Sequence, residues 1–150
     1  NERKSFLGNG VDLSKDCISI CKLNAIKLGV QNRLILFKTD IDNFSLGKYD
    51  LIISNPPYIK KLDLKKLDKD VINYEPKLAL DGGLDGLSQI RKVIKKSSEL
   101  VKLNGKLIIE IAHDQRKMVK KILLENGFFI NKVVKDLSRK DRCIISTRIK

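Results

Sequence analysis

The chain has 150 residues, 42% of them hydrophobic and 33% charged. That length allows one ordinary domain with a core of its own, and the balance excludes a disordered tail. No apolar run approaches a membrane span, and Asn1-Glu2-Arg3-Lys4 is not followed by the apolar region of a signal peptide, so a cytoplasmic protein is expected.

Thirty-one basic against 18 acidic residues leave a net charge of +13. Such a charge suits a nucleic-acid or ribosome-associated partner. The lysines are spread along the whole chain instead of forming one stripe, so charge does not decide function, and direct nucleic-acid binding is the less favoured reading. Cys17 and Cys21 stand four apart, which is not a usual zinc spacing, and read as small apolar residues of a reducing compartment. His113 is the sole histidine. Neither a metal site nor a Cys-His catalytic pair is expected.

The first predicted element is a strand, Phe6 to Asp12, ending in an acid. Ser14 then reads as a helix N-cap, and Ile18, Cys21, Ala25 and Leu28 recur at helical spacing up to the stop at Gly29. Arg33 to Lys38 is a second strand, closed by Thr39-Asp40, and Tyr49 to Ser54 a third. Ile59 to Gly86 is long and irregular, with room for a helical turn in Leu62–Asp70; connections of this length are usually binding loops or lids. A helix from Leu87 to Val101, a strand from Lys106 to Ile111 and a helix from Asp114 to Glu125 follow, the last closed by Asn126-Gly127. Phe128 to Lys135 and Cys143 to Arg148 are joined too tightly for a helical crossover, so they form an antiparallel pair. This alternation argues for an α/β sheet, mostly parallel with one reversed strand.

The chemistry concentrates where strands end. Open α/β sheets bind ligands at the carboxyl edge. There the third strand empties into Asn55-Pro56-Pro57-Tyr58: an amide that accepts and donates, two rings that fix φ, and a flat aromatic face. That set suits a planar NH2 group held still during a transfer. Asp12, before a helix, suits the two hydroxyls of a ribose, or else merely stabilises the helix terminus. Asp40 could meet an adenine amino group, or serve as a turn residue.

In its spacing of Asp12, Asp40 and Asn55-Pro56-Pro57-Tyr58, the chain resembles class I S-adenosylmethionine-dependent methyltransferases that act on a planar nitrogen. The block Tyr74-Glu75-Pro76-Lys77-Leu78-Ala79-Leu80-Asp81-Gly82-Gly83-Leu84-Asp85-Gly86-Leu87 is similar to the signature that follows this motif in HemK-type release factor glutamine N5-methyltransferases. Glu110-Ile111-Ala112-His113-Asp114-Gln115, and Lys135-Asp136-Leu137-Ser138 through Asp141-Arg142, are similar to later blocks of that family.

The resemblance implies a Rossmann-like class I methyltransferase sheet ending in an antiparallel hairpin. It implies S-adenosyl-L-methionine as cofactor and a glutamine in the Gly-Gly-Gln motif of a peptide chain release factor as target. Carried onto this chain, Asp12 would hold the ribose, Asp40 and Ile41 the adenine edge, and Asn55 both the target amide and the methyl end of the cofactor. The Asn55 side-chain oxygen and the Pro56 carbonyl would accept the two target N–H groups, beside Pro57, with Tyr58 against the amide plane.

Three departures are expected. The family's Gly-rich cofactor loop lies about twenty residues before the ribose acid, so its first strand, glycine loop and first helix, and its N-terminal domain, are expected to be missing; the 150 residues then form one N-terminally truncated catalytic domain. Gly8-Asn9-Gly10 falls inside the strand ending at Asp12, too late to be that loop, and reads as bulge or close-packing glycines. Ile41 stands where many relatives place a larger aromatic. The isolated chain is accordingly expected to bind cofactor weakly or not at all. Two alternatives stay open: an N6-adenine or guanine-N2 nucleic-acid methyltransferase using the same motif, and a non-catalytic remnant or half of a split enzyme.

Overall fold

The computed structural model describes residues 5–66 and 76–150, with Lys66, Lys77 and Leu78 described by backbone alone. It divides into two compact units, Asn1–Ser45 and Leu46–Lys150.

In the first unit, strands β1 (Gly8–Asp12) and β2 (Leu34–Lys38) pair in parallel, from Gly8 opposite Leu34 to Asp12 opposite Lys38. Helix α1 (Lys15–Lys27) connects them. It starts at Ser14, as expected, because the Ser14 Oγ accepts the Cys17 N–H at 3.2 Å. Asp16 in the first turn and Lys27 in the last complement the helix dipole. Gly29 at φ 66° ends it, in the left-handed region that favours glycine.

The apolar face expected on α1 is only half realised. Ile18 and Ala25, two turns apart on one stripe, are buried, whereas Cys21 and Leu28 are exposed. A sheet of two strands, roughly 5 Å apart, covers one stripe of a helix and no more. Cys17 is exposed as well, so Cys17 and Cys21 are free thiols but not the apolar filler the sequence suggests. Gly8 and Gly10 lie inside β1, as read from the sequence. A Cβ on Gly10 would stand 2.6 Å from the Leu36 Cδ2, so a larger residue there would require that side chain to move.

The second unit holds β3 (Tyr49–Ser54), the short helix α2 (Lys77–Leu80), α3 (Ser88–Leu100), β4 (Val101–Glu110), α4 (Arg116–Glu125), β5 (Phe128–Lys135) and β6 (Asp141–Arg148). Its sheet runs β3-β4-β6-β5. β3 and β4 are parallel, and β6 runs against both of its neighbours. The expected hairpin is therefore present, with its second strand inserted beside β4. β4 begins five residues before the expected Lys106. Its pairing with β3 slips between Val101 and Lys106, and Asn104 adopts φ 65°, so the early segment is a bulged approach to the regular ladder.

Leu107, Ile109 and Ile144 project from the sheet onto Ile90 and Ile94 of α3 and Val119 and Leu123 of α4, all fully buried with Phe128. The expected helical turn in Leu62–Asp70 appears over Leu64–Lys66; residues 67–70 lie outside the described set, as do Tyr74 and Glu75. No described helix is long and apolar enough to cross a membrane.

Candidate functional site

The carboxyl edge of the two-stranded sheet is held by short bonds between its loops. The Thr39 N–H donates to the Asp12 carbonyl at 3.0 Å, tying the ends of β1 and β2 together. The Asp12 Oδ1 accepts the Ser14 N–H at 2.7 Å. The Asp40 Oδ1 accepts the Asp42 N–H at 2.9 Å, capping a single 3-10 turn over Ile41–Asn43. Asp12 is exposed, and Asp40 and Ile41 are half-buried. The structure thus brings Asp12, Asp40 and Ile41 to one edge. Both acids also do the turn work that a plain structural reading assigns them, each with one carboxylate oxygen.

In the second unit β3 delivers Asn55–Tyr58 to the end of the parallel pair β3-β4. Asn55 is exposed, Pro56 is buried, and Pro57 and Tyr58 are half-buried. Tyr58 packs on the main core, and its hydroxyl donates to the Glu110 Oε1 at 3.0 Å. The Arg142 Nη1 donates to the same hydroxyl oxygen at 3.3 Å. Arg142 is held in turn by the Asp136 Oδ2, at 3.1 Å from Nη2 and 3.4 Å from Nε. Burial, followed by the Glu110 carboxylate, pushes the Tyr58 phenol above its ordinary range. The Lys140 backbone N–H, assisted by Arg142, holds the Asp136 carboxyl below its usual range.

The glycine-rich block lies against the backbone of this lip. Ile59 and Asp81 form an isolated parallel bridge. The Gly82 N–H donates to the Ile59 carbonyl and the Lys61 N–H to the Gly83 carbonyl, both at 2.9 Å. A Cβ on Gly82 would stand 2.8 Å from the Tyr58 carbonyl carbon, and one on Gly86 (φ 74°) 2.6 Å from the Tyr58 oxygen. Only residues without a side chain let the two backbones meet so closely. Asp81 and Asp85 brace the loop by accepting the Gly83 and Leu87 N–H groups, at 2.8 and 3.0 Å.

Gln115 completes the arrangement from the start of α4: its Nε2 donates to the carbonyls of Tyr58 (3.0 Å) and Gly86 (2.9 Å), and its Oε1 accepts the Ala112 N–H (3.0 Å). Sequence reasoning singled out neither Gln115 nor Glu110 nor Arg142 as a site residue. All three lie in blocks similar to the family's, but their bonds to Tyr58 span 52 to 84 positions along the chain. The lip is therefore a braced backbone turn that leaves the Asn55 amide exposed at a strand end.

A family model described as RMKL-like, methyltransferase domain, matches residues 1–74. The release factor glutamine methyltransferase of Fusobacterium nucleatum is 39% identical over 158 residues, covering 99% of this chain and 42% of that protein. A bifunctional methyltransferase of Rickettsia bellii is 38% identical over 134 residues, covering 89% of this chain and 24% of that protein. Curated relatives are thus matched over about half of their length or less. Among solved structures, a methyltransferase from Pyrococcus furiosus superposes with a TM-score of 0.67 at 12% identity, over 95% of this chain and 62% of that one. The N-methyltransferase NodS of Bradyrhizobium japonicum WM9, in complex with S-adenosyl-L-homocysteine, gives 0.59 at 16% identity, over 93% and 64%. The fold is the Rossmann-like methyltransferase fold expected from the sequence.

Proposed function

We propose that this chain, a methyltransferase-fold relative of the release factor glutamine methyltransferases, supplies the substrate lip and the ribose and adenine acids of an enzyme that methylates N5 of a glutamine. The target is the glutamine of the Gly-Gly-Gln motif in a peptide chain release factor, and the setting is the cytoplasm. The observation that carries this reading is the braced Asn55–Tyr58 turn, with an exposed amide at the end of the parallel pair β3-β4.

A carboxamide nitrogen is a poor nucleophile because its lone pair is delocalised into the carbonyl. Accepting both of its N–H groups, on the Asn55 oxygen and the Pro56 carbonyl, orients that nitrogen and favours the build-up of positive charge on it. The Tyr58 ring lies along the amide plane, while its hydroxyl is already engaged by Glu110 and Arg142. Fixing an attacking atom in this way is worth roughly 7–11 kcal/mol in favourable systems. No base has to act first, since the extra proton leaves the nitrogen after the methyl group has arrived.

The donor set fits S-adenosyl-L-methionine, which supplies an electrophilic methyl group on a sulfonium. Asp12 has one carboxylate oxygen on the Ser14 N–H and the other left for ribose hydroxyls, and Asp40 and Ile41 stand at the same sheet edge for the adenine.

The test uses the chain, and any longer polypeptide that carries it, with labelled cofactor, a release factor, DNA and ribosomal RNA. Label is expected on the Gly-Gly-Gln glutamine with the longer polypeptide, and weakly or not at all with the isolated chain, and is lost in Asn55→Ala. Label entering nucleic acid alone would replace this reading with base methylation, the alternative that the +13 charge favours.

A further inference from the structure

Gln115 occupies the N-cap position of α4, where Ser, Thr, Asp or Asn usually bond the first free N–H groups. Its side chain makes no capping bond, so the helix does not explain the residue. Instead the residue is buried, 4% exposed, and both amide hydrogens and the amide oxygen bond other segments. Two hydrogens go to the Tyr58 and Gly86 carbonyls, and the oxygen takes the Ala112 N–H. A hydroxyl cannot donate twice, and a carboxylate cannot donate at all. A primary amide on a two-carbon stem meets the requirement.

We propose that Gln115 is the positioning residue of the Asn55–Tyr58 lip. It is a two-pronged donor that sets the spacing between that turn and the glycine-rich loop. Tyr58 is gripped at both ends, by Gln115 at its carbonyl and by Glu110 and Arg142 at its hydroxyl. The Pro56-Pro57 rings carry that rigidity back to Asn55, since they remove two φ rotations between the grip and the amide. What the lip holds rests on the function proposed above; the fastening does not.

The experiment replaces Gln115 by Met, which keeps length and packing, and by Glu, which keeps the acceptor and loses both donors. Amide hydrogen exchange is followed residue by residue by NMR. In both variants the Ile59, Lys61 and Gly82 amides are expected to exchange at least roughly tenfold faster, because two buried carbonyls lose their donors. The β4-β6 ladder keeps its protection. The Ala112 amide stays protected in Gln115→Glu and not in Gln115→Met. Unchanged exchange at the lip in both variants would overturn the proposal, as would acceleration spread evenly over the ladder or unfolding of both proteins. Where glutamine methylation is measured, both variants should lower kcat by tenfold or more, with KM changed less than about threefold. The exchange result stands whichever substrate the lip takes, so a wrong substrate and a wrong role for Gln115 give different outcomes.

Discussion

The two units bury very different amounts of apolar surface. The second closes twelve hydrophobic residues into one cluster between its sheet and helices α3 and α4. The first buries Ile18, Ala25 and Phe44, while Ile20, Leu23 and Ile35 remain 57–60% exposed. A fully buried Ile, Leu or Phe contributes roughly 1.5–3 kcal/mol, so the second unit's cluster contributes several times as much as the three buried side chains of the first. The contrast bears on function because the proposed site residues are divided between the units. Asn55–Tyr58 rest on a dense core and a braced loop. Asp12 and Asp40 rest on a two-stranded sheet and on turns closed by their own carboxylates. The proposed substrate geometry is built in more firmly than the proposed cofactor geometry.

The largest effect that would break the comparison is in the cores. Phe128→Ala removes a fully buried ring and is expected to cost about 3–5 kcal/mol in denaturant unfolding. Ile18→Ala, in the thin layer between α1 and its sheet, should cost about 2 kcal/mol, because its surroundings can collapse. Equal costs would remove the contrast. A smaller effect is expected at Gly86→Ala, where φ 74° and a Cβ 2.6 Å from the Tyr58 oxygen strain the loop against the lip. About 1–3 kcal/mol is expected there, together with faster exchange at Ile59 and Gly82. A stable variant with unchanged exchange would mean that the two backbones are not pressed together.

Most of the fold was legible in the sequence, because the informative residues act locally. Tyr49–Ser54 and Phe128–Lys135 came out with the bounds read from their apolar pattern, and Ser14 and Gly29 begin and end α1 through bonds within a few positions. The misreadings were tertiary. Cys21 and Leu28 have helical spacing, yet no local rule says how wide a sheet lies beneath them. The bulge at Asn104 moved the start of β4 because pairing with β3, not propensity, sets that register. At the site, Asn55–Tyr58 announced itself through an unusual Pro-Pro after an apolar run. Gln115, Glu110 and Arg142 are ordinary polar residues whose meaning lies in partners far along the chain.

The smallest effect tests the other end of the Tyr58 grip. Its phenol is raised above the ordinary tyrosine range by burial and by Glu110, so the folded state favours the protonated form. Stability from that bond is fully present below the unfolded value, near pH 10, and is lost as pH rises through the higher folded value. Tyr58→Phe should cost about 1 kcal/mol near neutrality and flatten the alkaline limb of the stability profile. In an absorbance titration, one phenol that ionises later than free tyrosine should vanish in the variant. If the phenol that vanishes ionises like free tyrosine, the hydroxyl is solvated instead of bound, and Gln115 alone holds the lip. The ring face remains in Tyr58→Phe, so any methyl transfer should fall far less than in Asn55→Ala. That split separates the hydroxyl, which fastens the lip, from the amide proposed to meet the target.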